Sequence, residues 1–161
     1  MEGSIYKTYK HNPPHLFVPD AIYMITGAIY LKESFFQDDK RKEYFLRVLI
    51  EKIIRFEWKL LYWVILDNHY HILIKSKKDA SALVKVISQL HSVAAMYCNK
   101  LDRKKGRKVW WNYWDSCITY EKSFFARINY IHYNPVKHGY VDEAEDYFFS
   151  SFKTYMMRVS S

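Results

Sequence analysis

The chain has 161 residues, 50% of them hydrophobic and 26% charged, a balance that suits one soluble globular domain and excludes a disordered, collagen-like or disulfide-stapled chain. Lys and Arg number 25 against 17 Asp and Glu, a net charge of +8 that favours an anionic partner such as nucleic acid or an acidic membrane face. The 19% aromatic content, with 15 Tyr, 10 Phe and 5 Trp, suits stacking on bases as well as filling a core.

Residues 1–19 read as an irregular basic arm that holds Lys7 and Lys10 and ends at Pro19. Ala21 to Tyr30 is apolar and β-branched around Gly27, the pattern of a strand. Asp38 or Asp39 then caps a helix running to about Phe56, with Phe45, Leu49, Ile53 and Phe56 at helical spacing. Trp58 to Leu66 reads as a buried strand, and Asp67-Asn68 turns the chain tightly into His69 to Ser76, so the two strands form a hairpin. A second helix starts at Asp79 or Ser81, with Leu83, Ile87, Leu90, Ala94, Tyr97 and Leu101 as its apolar stripe. Residues 102–108 form a basic loop, and Val109 to Ile118 is a strand rich in Trp and Tyr. A third helix runs from about Glu121 to Asn134, where Pro135 stops it, and a short segment around Phe152 to Arg158 follows.

The order strand, helix, strand, strand, helix, strand predicts an α+β, ferredoxin-like fold. That is an antiparallel sheet with two helices on one face, here with an additional C-terminal helix able to pack on the other. A single domain over 1–161 is expected, with its core in 20–155. Cys98 and Cys117 are isolated and indicate neither a disulfide framework nor a zinc knuckle. The first twenty residues lack an apolar stretch and do not read as a signal peptide. The longest apolar run, Leu60 to Leu66, is far below the ~20 residues of a membrane span. A cytoplasmic protein with no membrane partner is expected.

The most informative stretch is Asn68-His69-Tyr70-His71-Ile72-Leu73-Ile74. Strand side chains alternate, so His69 and His71 share one face while Tyr70, Ile72 and Ile74 take the other. Two adjacent imidazoles can donate two nitrogens to one divalent metal. The plain alternative is two polar residues on the solvated face of an amphipathic strand. A second stretch, Asn129-Tyr130-Ile131-His132-Tyr133-Asn134-Pro135, puts Tyr130 and Asn134 four apart on one helix face, where a phenol and an amide could address one phosphate. With so many tyrosines, core packing is the ordinary role of any one of them, and it is the role expected of Tyr133.

These residues resemble a known family. His69-Tyr70-His71 is similar to the His-hydrophobic-His motif of the HUH single-strand nucleases. Tyr130 to Val136 resembles the helix motif of the REP-associated tyrosine transposases, relatives of the single-tyrosine insertion-sequence transposases. Trp110 to Asp115 and Ser150-Ser151-Phe152 extend the likeness, which covers residues 20 to 155. The resemblance implies that His69 and His71 bind a divalent metal, Mg²⁺ or Mn²⁺. It implies Tyr130 as the nucleophile and Asn134 as a third polar ligand. It further implies single-stranded or hairpin DNA as substrate, a 5′-phosphotyrosine intermediate, and either a monomer or a homodimer.

The chemistry calls for such parts. A phosphodiester repels nucleophiles, and a metal on its non-bridging oxygens withdraws charge and orients the bond. A tyrosine, with an ordinary pKa near ~10, needs a base or a nearby positive charge to attack. Arg103, Lys104, Lys105, Arg107 and Lys108, with Lys7 and Lys10, are candidate DNA-backbone contacts, although a charge run is also the ordinary dress of a solvated loop. The main rival is a non-catalytic single-stranded nucleic-acid-binding module on a ferredoxin-like sheet. That rival expects a K/R-G-F/Y-G/A-F-V pattern, which the chain lacks.

Overall fold

The computed structural model describes residues 5–7, 15–17, 20–77 and 80–161. Its centre is a four-stranded antiparallel sheet of β3 (Ile22–Ile29), β4 (Lys59–Ile65), β5 (His69–Lys75) and β6 (Trp110–Ile118), in the order β4-β5-β3-β6. Helix α1 (Asp39–Arg55) links β3 to β4, and α2 (Leu83–Leu101) links β5 to β6. The expected element order therefore stands, and the fold is α+β.

Period-2 alternation divides the sheet's side chains into two cores. Tyr23, Ile25, Tyr70, Ile72 and Ile74 turn to one face and pack on Phe45, Leu49 and Ile53 of α1 and on Leu83, Ile87 and Leu90 of α2. Burial of each such side chain contributes about 1.5–3 kcal/mol. Met24, Val64 and Leu73 turn to the other face, where Ile128 and Ile131 of α3 (Glu121–Lys137) cover them. So α1 and α2 share a face and α3 takes the opposite one. The helix bearing Tyr130 is not the last element, since α4 (Phe152–Val159) follows it.

Several local expectations change. Residues 1–19 are not wholly irregular: β1 (Ile5–Lys7) and β2 (His15–Phe17) pair antiparallel, and Lys10 lies outside the described residues. Asp38 is the cap of α1, its carboxylate accepting from the Lys40 amide at 2.8 Å. Helix α2 begins at Leu83 after a 3-10 turn over Ala80–Ala82, and Ala82 at its cap position makes no side-chain cap bond. Val86 and Cys98 join the buried stripe of α2, whereas Leu101 at its end is exposed.

Pro135 does not stop α3. It sits one turn inside a helix that ends at Lys137. Proline here lacks only the bond to the Ile131 carbonyl, and three bonds close the end beyond it. The amides of His138, Gly139 and Tyr140 donate to the carbonyls of Asn134, Val136 and Pro135 at 3.1, 3.0 and 2.9 Å. Gly139 takes φ 74, the left-handed position that terminates a helix in this way.

The segment before α4 seals the edge of β4. The Ile65 amide donates to the Phe149 carbonyl and the Ser151 amide to the Trp63 carbonyl, both at 3.0 Å. Ser151 Oγ also accepts from the Trp63 amide at 2.9 Å and lies 2.9 Å from Nε2 of buried His132. Burial pulls the His132 pKa down to about 4. Unfolding restores an ordinary value near ~6.5, so between pH 6.5 and 4 the unfolded chain binds a proton that the folded chain refuses. Stability is then lost as pH falls through this window, by about 2 kcal/mol at pH 5 from His132 alone. His91, pulled down to about 3 by burial, acts in the same direction. Urea midpoints at pH 7 and pH 5 check this. The drop should shrink in His132→Gln, and equal midpoints for the wild-type chain would show that His132 is not held neutral.

Candidate active site

The site is built around the turn that opens β5. The Asp67-Asn68 turn is tied down on several sides: the amides of Phe36 and Ile29 donate to the Asp67 and Asn68 carbonyls, both at 2.9 Å. Buried Lys42 of α1 pairs with Asp67 at 2.8 Å. Asn68 Oδ1, which can only accept, lies 2.7 Å from His69 Nδ1. The His69 Nδ1 proton is therefore given to Asn68, leaving Nε2 as the nitrogen with a free lone pair. His71 is held from the neighbouring strand, where its Cα partner Thr26 places Oγ1 2.7 Å from His71 Nδ1. Each imidazole is thus anchored by Nδ1.

The two rings stand 5.1 Å apart between centroids on the face that carries α3. Burial is the leading cause that lowers both pKa values. For His69 the neighbouring His138 and Lys137 add to the lowering, while the Asn134 side chain, which favours the protonated ring, opposes it. His71 is pulled down to about 3. Both are neutral at pH 7, the form able to bind a metal.

Helix α3 delivers two residues to this point. Asn134 is 1% exposed, and its Oδ1 lies 3.0 Å from His69 Nε2. One turn earlier, the Tyr130 ring stands edge-on to His71 with centroids 5.1 Å apart, and it is 41% exposed. The Lys137 ammonium lies 5.2 Å from the Tyr130 ring centroid, and the His138 ring 4.9 Å from that of His69. The expected quartet of His69, His71, Tyr130 and Asn134 is brought together. Tyr133 is not in the core: it is 56% exposed, on a different aspect of α3.

Asn134 tests whether these residues suit a cation. With the His69 proton on Nδ1, Nε2 and Asn134 Oδ1 are two lone-pair atoms facing each other, and Asn134 Nδ2 is buried without a partner. Their 3.0 Å separation matches neighbouring ligands of an octahedral ion with bonds of about 2.1 Å. Rotating the amide would satisfy the pair without a cation, with Nδ2 donating to Nε2. No group of three or more His, Cys, Asp or Glu gathers as a metal site among the described residues. The donor set on offer is two imidazoles and an amide oxygen, which fits a divalent ion and leaves positions open for substrate oxygens.

The basic loop divides in two. Arg107 is committed, reaching Asp102 at 2.6 Å and Asn99 at 2.9 Å, with Arg41 on the same carboxylate. These guanidinium bonds hold the Asp102 pKa down to about 2. Arg103, Lys104, Lys105 and Lys108 are exposed. Lys7 lies on β1.

A family model described as "Transposase IS200 like" matches residues 18–134, which take in His69, His71, Tyr130 and Asn134. The chain belongs to this family. An Escherichia coli relative, REP-associated tyrosine transposase, is 30% identical over 95 residues, covering 56% of this chain and 52% of its own length. A Haemophilus influenzae protein whose name carries the same words is 31% identical over 97 residues, 55% of each chain. This member of the IS200-like family thus spans about half the length of the curated relatives it matches. A solved structure described as a REP-associated tyrosine transposase bound to a REP hairpin superposes with a TM-score of 0.71, covering 94% of this chain and 86% of that one. At 19% identity it shares the fold. Among the described residues of this family member, no helix is long and apolar enough to cross a membrane.

Sequence reasoning missed Asn68 and Thr26, the residues that orient the two histidines. Asn68 could have been found as the polar neighbour of a candidate ligand, because metal-binding imidazoles commonly give their second nitrogen to an acceptor. Thr26 had no local signal, since only the β3–β5 register brings it to His71.

Proposed function

We propose that the chain is a metal-dependent endonuclease and strand-transferase that cuts single-stranded DNA next to a hairpin through a 5′-phosphotyrosine on Tyr130. One observation carries the reading: a single helix sets Tyr130 against His71 and Asn134 against His69, on one face of the sheet. Family membership and the relatives' names support it, as does the hairpin bound by the structural neighbour.

His69, His71 and Asn134 would hold Mg²⁺ or Mn²⁺, which supplies charge withdrawal from the phosphate and orientation of the scissile bond. Tyr130 is the nucleophile. Its phenol gives up a proton as its oxygen bonds to phosphorus, and the bond to the 3′-oxygen breaks. That oxygen takes up a proton and leaves as a free 3′-hydroxyl. The 5′-phosphotyrosine keeps the bond energy, so a second 3′-hydroxyl can displace Tyr130 and rejoin DNA. No external energy source is needed.

The test is a denaturing gel with tailed hairpin DNA labelled at each end in turn, with Mg²⁺ or Mn²⁺. Label downstream of the cut should travel with the protein, and His69→Ala/His71→Ala should remove this adduct while melting as a folded chain. Retention of the upstream fragment, or full cleavage by the double variant in metal-depleted buffer, would overturn the reading.

The basic loop gives a separate expectation. Each phosphate contact to a single strand contributes about 0.7 to the slope of log affinity against log salt. Neutralising Lys104, Lys105 and Lys108 should therefore flatten that slope by up to about 2. Arg107 belongs to the Asp102 clamp and is excluded from this set. An unchanged slope returns the loop to a solvated connector.

A further inference from the structure

Beside the histidines lies a cleft of about 400 Å³, within the range of small-ligand sites, between Tyr30, Leu31, Trp111 and Trp114. Its walls depend on an irregularity in the sheet. In a regular strand Trp111 and Trp114, three apart, would point to opposite faces. The β3–β6 register shifts between Gly27 and Ile29, so Trp110 and Tyr113 meet His91 on the helix face while Trp111 and Trp114 are both 46% exposed. Bulges commonly re-aim side chains in this way next to active sites.

The cleft neighbours the candidate active site on the same face of the sheet. Thr26 is the Cα partner of His71 on one side and of Trp114 on the other, and Ala28, at the cleft, is the partner of His69. Directly paired residues share a face, so Trp114 stands two strand spacings, about 10 Å, from His71. The Tyr30 and Trp111 rings stack at 5.5 Å, and the Lys108 ammonium lies 4.6 Å from each. Lys32 is exposed at the rim.

The backbone at the rim is strained. Leu31 and Lys32 take φ 55 and 56, a left-handed conformation disfavoured for both. The Lys32 carbonyl accepts from Asn68 Nδ2 at 3.2 Å, so the residue that orients His69 also holds this turn. Non-glycine residues kept in such conformations cluster at ligand clamps.

We propose that this cleft seats one unpaired nucleobase of the DNA strand, from a nucleotide beside the phosphate presented to Tyr130, with Trp114 as the stacking platform. This rests on the strand-transferase reading above. An exposed aromatic surface with two lysines at its rim complements a flat π-face on an anionic backbone, and it abuts the residues meant to hold the phosphate. A base inside a duplex already has both faces stacked, so the occupant must be unpaired. The cleft thereby couples cutting to a single-stranded position next to the hairpin.

The test is a double-mutant cycle in which one mutation is in the DNA. Tailed hairpins carry an abasic site at each single-stranded position flanking the cut in turn, and binding to the full chain is measured for wild type, Trp114→Leu and Trp114→Phe. At one position the abasic site should weaken wild-type binding about tenfold or more, and Trp114→Leu should weaken binding of intact DNA by a similar factor. For Trp114→Leu that abasic site should cost nothing further, while Trp114→Phe should restore part of the coupling. Duplex hairpin without a tail should bind all three alike. An abasic penalty equal in wild type and Trp114→Leu, or absent at every position, overturns the cleft assignment even where the Tyr130 adduct forms. Coupling at one position without any Tyr130 adduct upholds the base site and removes the catalytic reading instead.

Discussion

Gly27→Ala is expected to destabilise the fold by about 3 kcal/mol or more, lowering the melting temperature by roughly 10 °C. A methyl group at this position would lie 2.2 Å from Cε1 and 2.6 Å from Cζ of Tyr70. Gly27 and Tyr70 are Cα partners across β3 and β5, and the phenol ring lies over the glycine. The ring cannot swing aside cheaply. It is 1% exposed, packs on Phe45 with centroids 5.0 Å apart, and its hydroxyl meets His91 Nε2 at 2.9 Å. Moving it breaks that hydrogen bond and disturbs the contact between α1 and the sheet. Tyr70 also separates His69 from His71, so cleavage should fall by more than the loss of folded chain explains. Urea unfolding of Gly27→Ala, Tyr70→Leu and the double variant gives the coupling. The double variant should be at least about 1 kcal/mol more stable than the two single losses summed. Gly27→Ala melting within about 2 °C of wild type would show that the ring does not rest on this residue.

What could be read from the sequence was whatever is local and periodic. The same-face placement of His69 and His71 follows from strand alternation, and that of Tyr130 and Asn134 from the helical repeat. The structure keeps both. Asp38 could be read as a cap because its job is done by a bond two residues away. Features set by partner registry could not be read. The outward turn of both Trp111 and Trp114 comes from the shift against Gly27 and Ile29, which neither strand shows alone. Arg107 looked like a phosphate contact as one of a run of cations, but its neighbours Asp102 and Asn99 claim it once the loop closes. Pro135 looked like a stop because proline breaks helix interiors, whereas one turn from the end its missing amide costs a single bond. The abundance of tyrosines favours a core role for Tyr133, but composition says nothing about which side of α3 faces the sheet, and Tyr133 is exposed.

Tyr130→Phe should bind tailed hairpin DNA as the wild-type chain does and form no covalent complex, whereas Tyr133→Phe should keep both. The two tyrosines lie three residues apart on one helix, about 300° in rotation, and both are exposed, so accessibility does not separate them. Their surroundings do. The Tyr130 ring is set edge-on to His71 and shares the reach of Lys137, while Asn134, the next residue down the same face, touches His69. Of the two, only Tyr130 is set against the histidine pair, which is why the proposed function assigns it the nucleophile's role. Removing it deletes one atom and leaves the ring contacts in place, so Tyr130→Phe should melt within about 1 °C of wild type, as surface substitutions away from core features do. The loss of the adduct should be complete, because phenylalanine has no oxygen to bond to phosphorus. DNA affinity separates a chemical defect from a binding defect: affinity kept and adduct lost assigns the nucleophile. An adduct that survives in Tyr130→Phe, or that disappears in Tyr133→Phe alone, moves the nucleophile to another residue and breaks the link between this helix face and the histidine pair.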